Sequence, residues 1–157
     1  MLSESFKPFF DWCGSTWLGT AVRDTVWAFP LIETFHLLAL AVLLGTVLIV
    51  NLRVFGLGRR YSSVAQMTST LEPWMLVSLG VLIASGIPMF LSEPIKCYES
   101  YSFPIKMILL LLGIASQFTI QRKWIAKDES GKAKLAACIS IVIWTSVGLA
   151  GKGIPYI

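Results

Sequence analysis

From Trp27 to Leu52 the chain reads WAFPLIETFHLLALAVLLGTVLIVNL, in which only Glu33 and His36 are ionisable. A helix needs roughly 20 predominantly apolar residues to cross about 30 Å of hydrocarbon, so a segment of this kind is built for a bilayer. Three further segments have the same character, at about Pro73–Leu91, Pro104–Ile120 and Leu135–Ile154. Four spans use most of a 157-residue chain and leave an N-terminal segment, about residues 1–26, and short connections. The expected fold is therefore all-α and integral to the membrane: one domain of four transmembrane helices in an up-down bundle, with no separate soluble domain. Composition agrees, at 55% hydrophobic and only 14% charged, whereas soluble domains carry about a quarter charged residues.

The net charge of +4 would suggest nucleic acid if the basic residues formed one patch. They do not. Arg53, Arg59 and Arg60 follow the first span, and Arg122, Lys123, Lys127, Lys132 and Lys134 follow the third. The opposite side holds Lys7, Arg23, Lys96 and Lys152. The excess of Lys and Arg in the two hairpin connections puts them in the cytoplasm and both termini outside. Trp17, Trp27, Tyr98, Tyr101 and Tyr156 would mark the outer interface, and Tyr61, Trp74 and Trp124 the inner one.

Prolines punctuate the spans. Pro73 and Pro104 are expected in first helical turns, with Ser69 or Thr70 and Ser102 as caps, while Pro30 and Pro88 fall inside spans and predict kinks. Upstream, no basic segment precedes an apolar core and a cleavage site, so a signal peptide is not expected. Phe6, Phe9, Phe10, Cys13 and Trp17 instead recur at helical spacing, opposite Lys7, Asp11 and Ser15. That pattern predicts an amphipathic helix in the outer interface, a lid over the bundle, or a surface that docks a partner. The three cysteines form no CxxC pair, which argues against structural zinc. Cys13 and Cys97 fall on the same side by this topology, so either a disulfide or two free thiols is compatible with the sequence.

Ionisable residues inside a bilayer are costly and mark candidate functional positions. Glu33 and His36 share a face of the first span, and Asn51 returns to nearly that face at its inner end. Lys106 lies about one turn into the third span, on a stripe with Gly113 and Gln117; Trp144, Gly148 and Lys152 form a line in the fourth. The second span offers Ser78, Ser85, Gly86 and Met89, with Glu93 at its end. Converging stripes would give an outer polar cluster of Glu33, His36, Glu93, Lys106 and Lys152. The bland readings are as concrete: Lys106 and Lys152 snorkel to headgroups, Glu33 pairs with Lys106 to fix register, and Arg53 pairs with Glu72 at the inner ends. His36, the chain's one histidine, suits an axial haem ligand, a proton relay or a hydrogen bond to a quinone. It cannot make a bis-histidine haem within one chain; the second ligand would be Met89, an open position, or the histidine of a neighbouring copy.

The stretches WAFPLIETFHLLALAVLLGTVLIVNLRVFGLG and FLSEPIKCYESYSFPIKM, with the closing GLAGKG, resemble a family of small uncharacterised bacterial four-helix inner-membrane proteins. In that family an Asp often stands where this chain has Asn51, and an Arg where it has Lys152. More distantly, the His in ETFHLLAL and the Lys in FPIKMILLLL resemble the first-helix His and third-helix Lys of haem-containing four-helix protoporphyrinogen oxidases and of copper-resistance-D-like membrane domains. The oxidase's other basic residues on its first helix have no evident counterparts here. The resemblance implies a bacterial inner-membrane location, His36 as a haem ligand, and Lys106 near a propionate or a substrate carboxylate.

The resulting expectation is a haem-b-binding redox or electron-transfer protein in which His36 ligates iron, Glu33 orients the imidazole, and Lys106 with Lys152 pairs with propionates. The rival is a non-catalytic accessory subunit of a larger membrane complex, with the Glu33, His36 and Lys106 group a buried polar network. A quinone site would use the same residues without iron.

Overall fold

The computed structural model describes residues 4–57, 63–118 and 130–153, and among them the regular structure is entirely helical. A short turn at Glu4–Phe6 leads into α1 (Lys7–Gly14), followed by α2 (Trp17–Asp24), α3 (Ala28–Val54), α4 (Val64–Ser92), α5 (Pro94–Glu99), α6 (Ser102–Ser116) and α7 (Ser130–Gly153). Among the described residues, three helical segments are long and apolar enough to cross a membrane: Ala28–Val54, Val64–Ser92 and Gly131–Gly151. The fourth apolar helix, α6, has 15 residues and is shorter than a full span. Only about a third of each long segment is buried within the chain (33%, 28% and 33%). The remaining apolar side chains, Phe35, Leu38, Val77 and Leu149 among them, face outward, as lipid-facing residues do.

The long helices pack in the order α4, α3, α7, α6: α3 lies along both α4 and α7, and α7 along α6. Their shared core is a plug of Ala39, Leu43 and Val47 from α3, Met75 and Leu82 from α4, and Trp144 and Val147 from α7. Leu109, Leu110 and Ile114 of α6 close it from the remaining side. Gly113 makes the α6–α7 approach possible, because a Cβ there would already sit 3.3 Å from Trp144 and Ile143.

Several local expectations are corrected. Helix α4 begins nine residues before Pro73, at Val64, where Ser63 caps it by accepting from the Gln66 N–H at 3.1 Å. The segment VAQMTSTLE is polar but contains nothing that stops a helix, so Pro73 falls in the interior. Ser69 and Thr70 do not cap; their hydroxyls donate to the Gln66 carbonyl. Pro30 lies in the first turn of α3, not its interior, and Pro88 lies inside α4 as expected. Pro104 lies in the first turn of α6, which follows Tyr101 and begins at Ser102 itself. Helix α3 ends at Gly56, whose φ of +84° lets its N–H reach the Arg53 carbonyl and the Leu57 N–H reach the Leu52 carbonyl, a Schellman closure.

The N-terminal stripe is not continuous. The chain turns at Ser15, and Thr16 starts a second helix by accepting from the Gly19 N–H. Phe10 and Cys13 are buried, while Phe6, Phe9, Trp12 and Trp17 are exposed. Phe10 packs edge-on against Phe90 and Phe103, which stack on each other at 5.4 Å, and against Tyr98. Tyr98 therefore belongs to this buried cluster, not to an interfacial belt, whereas Trp17, Trp27, Trp74 and Tyr101 are exposed. Arg23 ties the assembly together, its Nε donating to the Ser92 carbonyl at 2.9 Å and Nη2 to the Gly14 carbonyl at 3.1 Å. Tyr61, Trp124, Tyr156, Arg59, Arg60, Arg122, Lys123 and Lys127 lie outside the described residues. Cys13 and Cys97 are both buried free thiols, with no disulfide between them.

Candidate functional site

His36 occupies the second half-turn beyond Glu33 on α3, where that helix crosses the small-residue stretch of α4. Gly86 faces the ring there: a Cβ on it would sit 3.6 Å from His36 Cε1, an ordinary van der Waals distance. The imidazole Nδ1 lies 2.8 Å from Ser85 Oγ. Ser85 has one hydroxyl hydrogen, and its closest acceptor is the Val81 carbonyl at 2.6 Å. With that hydrogen spent within α4, Ser85 Oγ accepts and His36 Nδ1–H donates. The tautomer that follows carries its lone pair on Nε2. Histidine metal ligands are oriented in just this manner, one nitrogen holding a fixed partner and the other left basic. Ser85 thus fixes the imidazole of His36 through Nδ1, and the Leu82 backbone is a further partner of the ring.

Glu33, expected to orient the ring, does not do so; Ser85 has that position. Glu33 and Lys106 form no ion pair in this structure, and neither has an oppositely charged partner among the described residues. Lys106 is half-buried one turn beyond Phe103 on α6, near enough to His36 for its charge to act on the imidazole. Its Nζ lies against α7, where a Cβ on Gly151 would be 3.3 Å away. Lys152 is in α7, but its side chain lies outside what the structure describes. Glu93 is corrected out of the cluster: it accepts from Lys96 Nζ at 2.7 Å, an exposed pair at the start of α5. Arg53 and Glu72 sit at the opposite end of the bundle, and neither is without a partner.

Cys97 lines the floor of α5 above this region. Burial pushes its thiol up to about 11, with the Lys106 charge the largest influence in the other direction. It is therefore an inert, protonated group at neutral pH and not a thiolate ligand. No group of three or more His, Cys, Asp or Glu side chains suited to a bare metal ion occurs among the described residues. The chemistry available among the described residues is one imidazole, one lysine amine with no oppositely charged partner among them, and an apolar, partly aromatic surround.

Sequence reasoning found His36 and Lys106 but missed what Ser85 does. The signal was a serine in the apolar second half of α4, and its partner is 49 residues away in the chain. It also passed over Gly151, whose missing side chain gives Lys106 its place. DUF6644, a family of unknown function, matches residues 9–157. Comparisons with curated proteins and with solved structures gave no match.

Proposed function

We infer that this chain, which belongs to the DUF6644 family of unknown function, is a four-span protein of the bacterial inner membrane that binds haem b and exchanges electrons. The observation that carries the reading is the Ser85–His36 hydrogen bond, because it leaves Nε2 as an aimed, basic nitrogen in an apolar setting. An axial haem ligand needs that arrangement and little else from the protein. Lys106 supports it independently: an ammonium with no anionic partner among the described residues, set among apolar helices, is costly and suits a propionate. The haem, when bound, supplies a one-electron couple; the protein's own residues hold the imidazole tautomer, offset the propionate charge and exclude water. A second ligand, were the haem to take one, would come from Met89 of α4 or from the histidine of a second copy. In this reading α6 completes the fourth span, with the basic connections in the cytoplasm and both termini outside.

The experiment is an absorbance spectrum of the purified chain, expressed with ample haem supply. The expected result is a Soret band that disappears in His36→Ala while the helical circular dichroism is unchanged. A colourless wild-type protein with no extractable tetrapyrrole would sink the reading.

A second reading, an accessory subunit of a larger membrane complex, is favoured by one observation: Phe6, just before α1, and Phe9 and Trp12 on it are all more than half exposed. It predicts a stoichiometric partner that is lost when residues 1–14 are deleted, and retention of that partner counts against it.

A further inference from the structure

At the end of the bundle away from His36, directly beneath the apolar plug, lies a cavity of about 30 Å³. It is bounded by α3, α4 and the end of α6, and its polar lining comes from Thr46, Thr68, Glu72 and Gln117. Each of these offers an acceptor. Thr46 has donated its hydroxyl hydrogen to the Leu43 carbonyl at 2.8 Å, and Thr68 has donated its own to the Val64 carbonyl at 2.8 Å. Both oxygens are left with lone pairs only. The Gln117 Oε1 is buried and has no hydrogen-bond partner, an arrangement that costs about 1–3 kcal/mol if nothing fills it. Glu72, when ionised, accepts and does not donate.

With the threonine oxygens limited to accepting and the Gln117 Oε1 without a donor, the cavity suits a small molecule that donates. We propose that this is a hydrated site, in which water donates to Gln117 Oε1 and to the threonine oxygens and solvates the Glu72 carboxylate. The volume suffices, since a buried water needs roughly 10–15 Å³ and two to four polar partners. Above it lie Leu43, Leu82 and Trp144, and Thr46 is ten residues along α3 from His36, about 15 Å of helix.

Radiolytic hydroxyl-radical labelling of the full chain in lipid nanodiscs tests this, because radicals born from bound water oxidise the side chains beside it. Met75 lines the cavity and is only 8% exposed; Trp144, in the plug and 2% exposed, is not part of the lining. The expected result is oxidation of Met75 several-fold faster than of Trp144, falling to the Trp144 rate in Gln117→Leu. Equal rates for Met75 and Trp144 in the wild-type chain would overturn the proposal without reference to any variant. A fast Met75 that is unchanged in a folded Gln117→Leu would overturn the assignment of Gln117 as the water's acceptor.

Discussion

Helix α2 rests on the end of α4 through a contact that only glycine permits. A Cβ built on Gly19 runs into the Leu91 carbonyl oxygen, lies 3.0 Å from the Leu91 carbonyl carbon and 3.1 Å from Thr16 Oγ1. The obstacle is helix backbone, which cannot step aside as a flexible side chain would. Gly19→Ala must therefore either compress this contact or lift α2 from α4. Compression costs about 1–3 kcal/mol, the usual range for overpacking. Lifting α2 carries Arg23 away from the Ser92 and Gly14 carbonyls, and hydrogen bonds from a charged donor are worth about 1.5–3 kcal/mol each, less for the exposed one. The two routes span about 1–4 kcal/mol, and the loss is local to the N-terminal helices. Limited trypsin digestion reads it directly, since Arg23 is the cleavage site released. Opening favoured by 2 kcal/mol or more corresponds to cleavage at Arg23 faster by about 30-fold or more. Gly80→Ala and Gly45→Ala are the matched controls, because a Cβ on either meets nothing within 4 Å. They should leave the cleavage rate unchanged and stabilise, if anything, by up to about 1 kcal/mol from helix propensity. Cleavage of Gly19→Ala at the wild-type rate, or equal acceleration in Gly80→Ala, refutes the reasoning.

Trp144→Ala removes the largest side chain of the plug, 2% exposed between Gly113 and the α3 face, and should cost about 3–5 kcal/mol in reversible unfolding from mixed micelles. Ser85→Ala removes the partner of His36 Nδ1; in the haem reading it should weaken cofactor retention by about 10–100-fold while leaving the chain folded, measured by haem transfer to an apo-globin acceptor. Burial holds the Cys97 thiol protonated, at about 11 against an ordinary 9.0, so the fold favours the neutral form. The sign follows: its contribution to stability is intact below pH 9 and is lost as pH rises from there towards 11, where the unfolded chain ionises first. The difference in denaturation midpoint between wild type and Cys97→Ala, followed from pH 8 to 11, should show that decline, and a difference that stays flat counts against the buried placement of Cys97.

The long helices were legible because a bilayer imposes a length and a composition that local sequence cannot disguise. What escaped reading had no apolar signature. The first turns of α4 are polar, so hydropathy places its start at Pro73, although Ser63 supplies the cap and nothing before Pro73 breaks the helix. The N-terminal apolar residues match one helical stripe by spacing alone, yet the turn at Ser15 divides them between two helices with different orientations. Charges located His36 and Lys106, because an ionisable residue in hydrocarbon stands out. Partners were harder. Glu33 is three residues from His36 and looks like its companion, but side chains on adjacent turns need not meet, and the ring reaches across to α4 instead. Glu93 was drawn into the same cluster by being at the same end, whereas Lys96 beside it on α5 offered a shorter reach. Residue type and depth can be read from a single chain; which helix faces which must come from packing.

The apolar layer of Leu43, Leu82 and Trp144 also sets how the two ends of the bundle sense each other. In a medium of low permittivity, separated charges interact more strongly than they do in water. A charge added at one end therefore bears on the ionisable side chains of the other, and the two ends are coupled electrostatically although the layer keeps them apart.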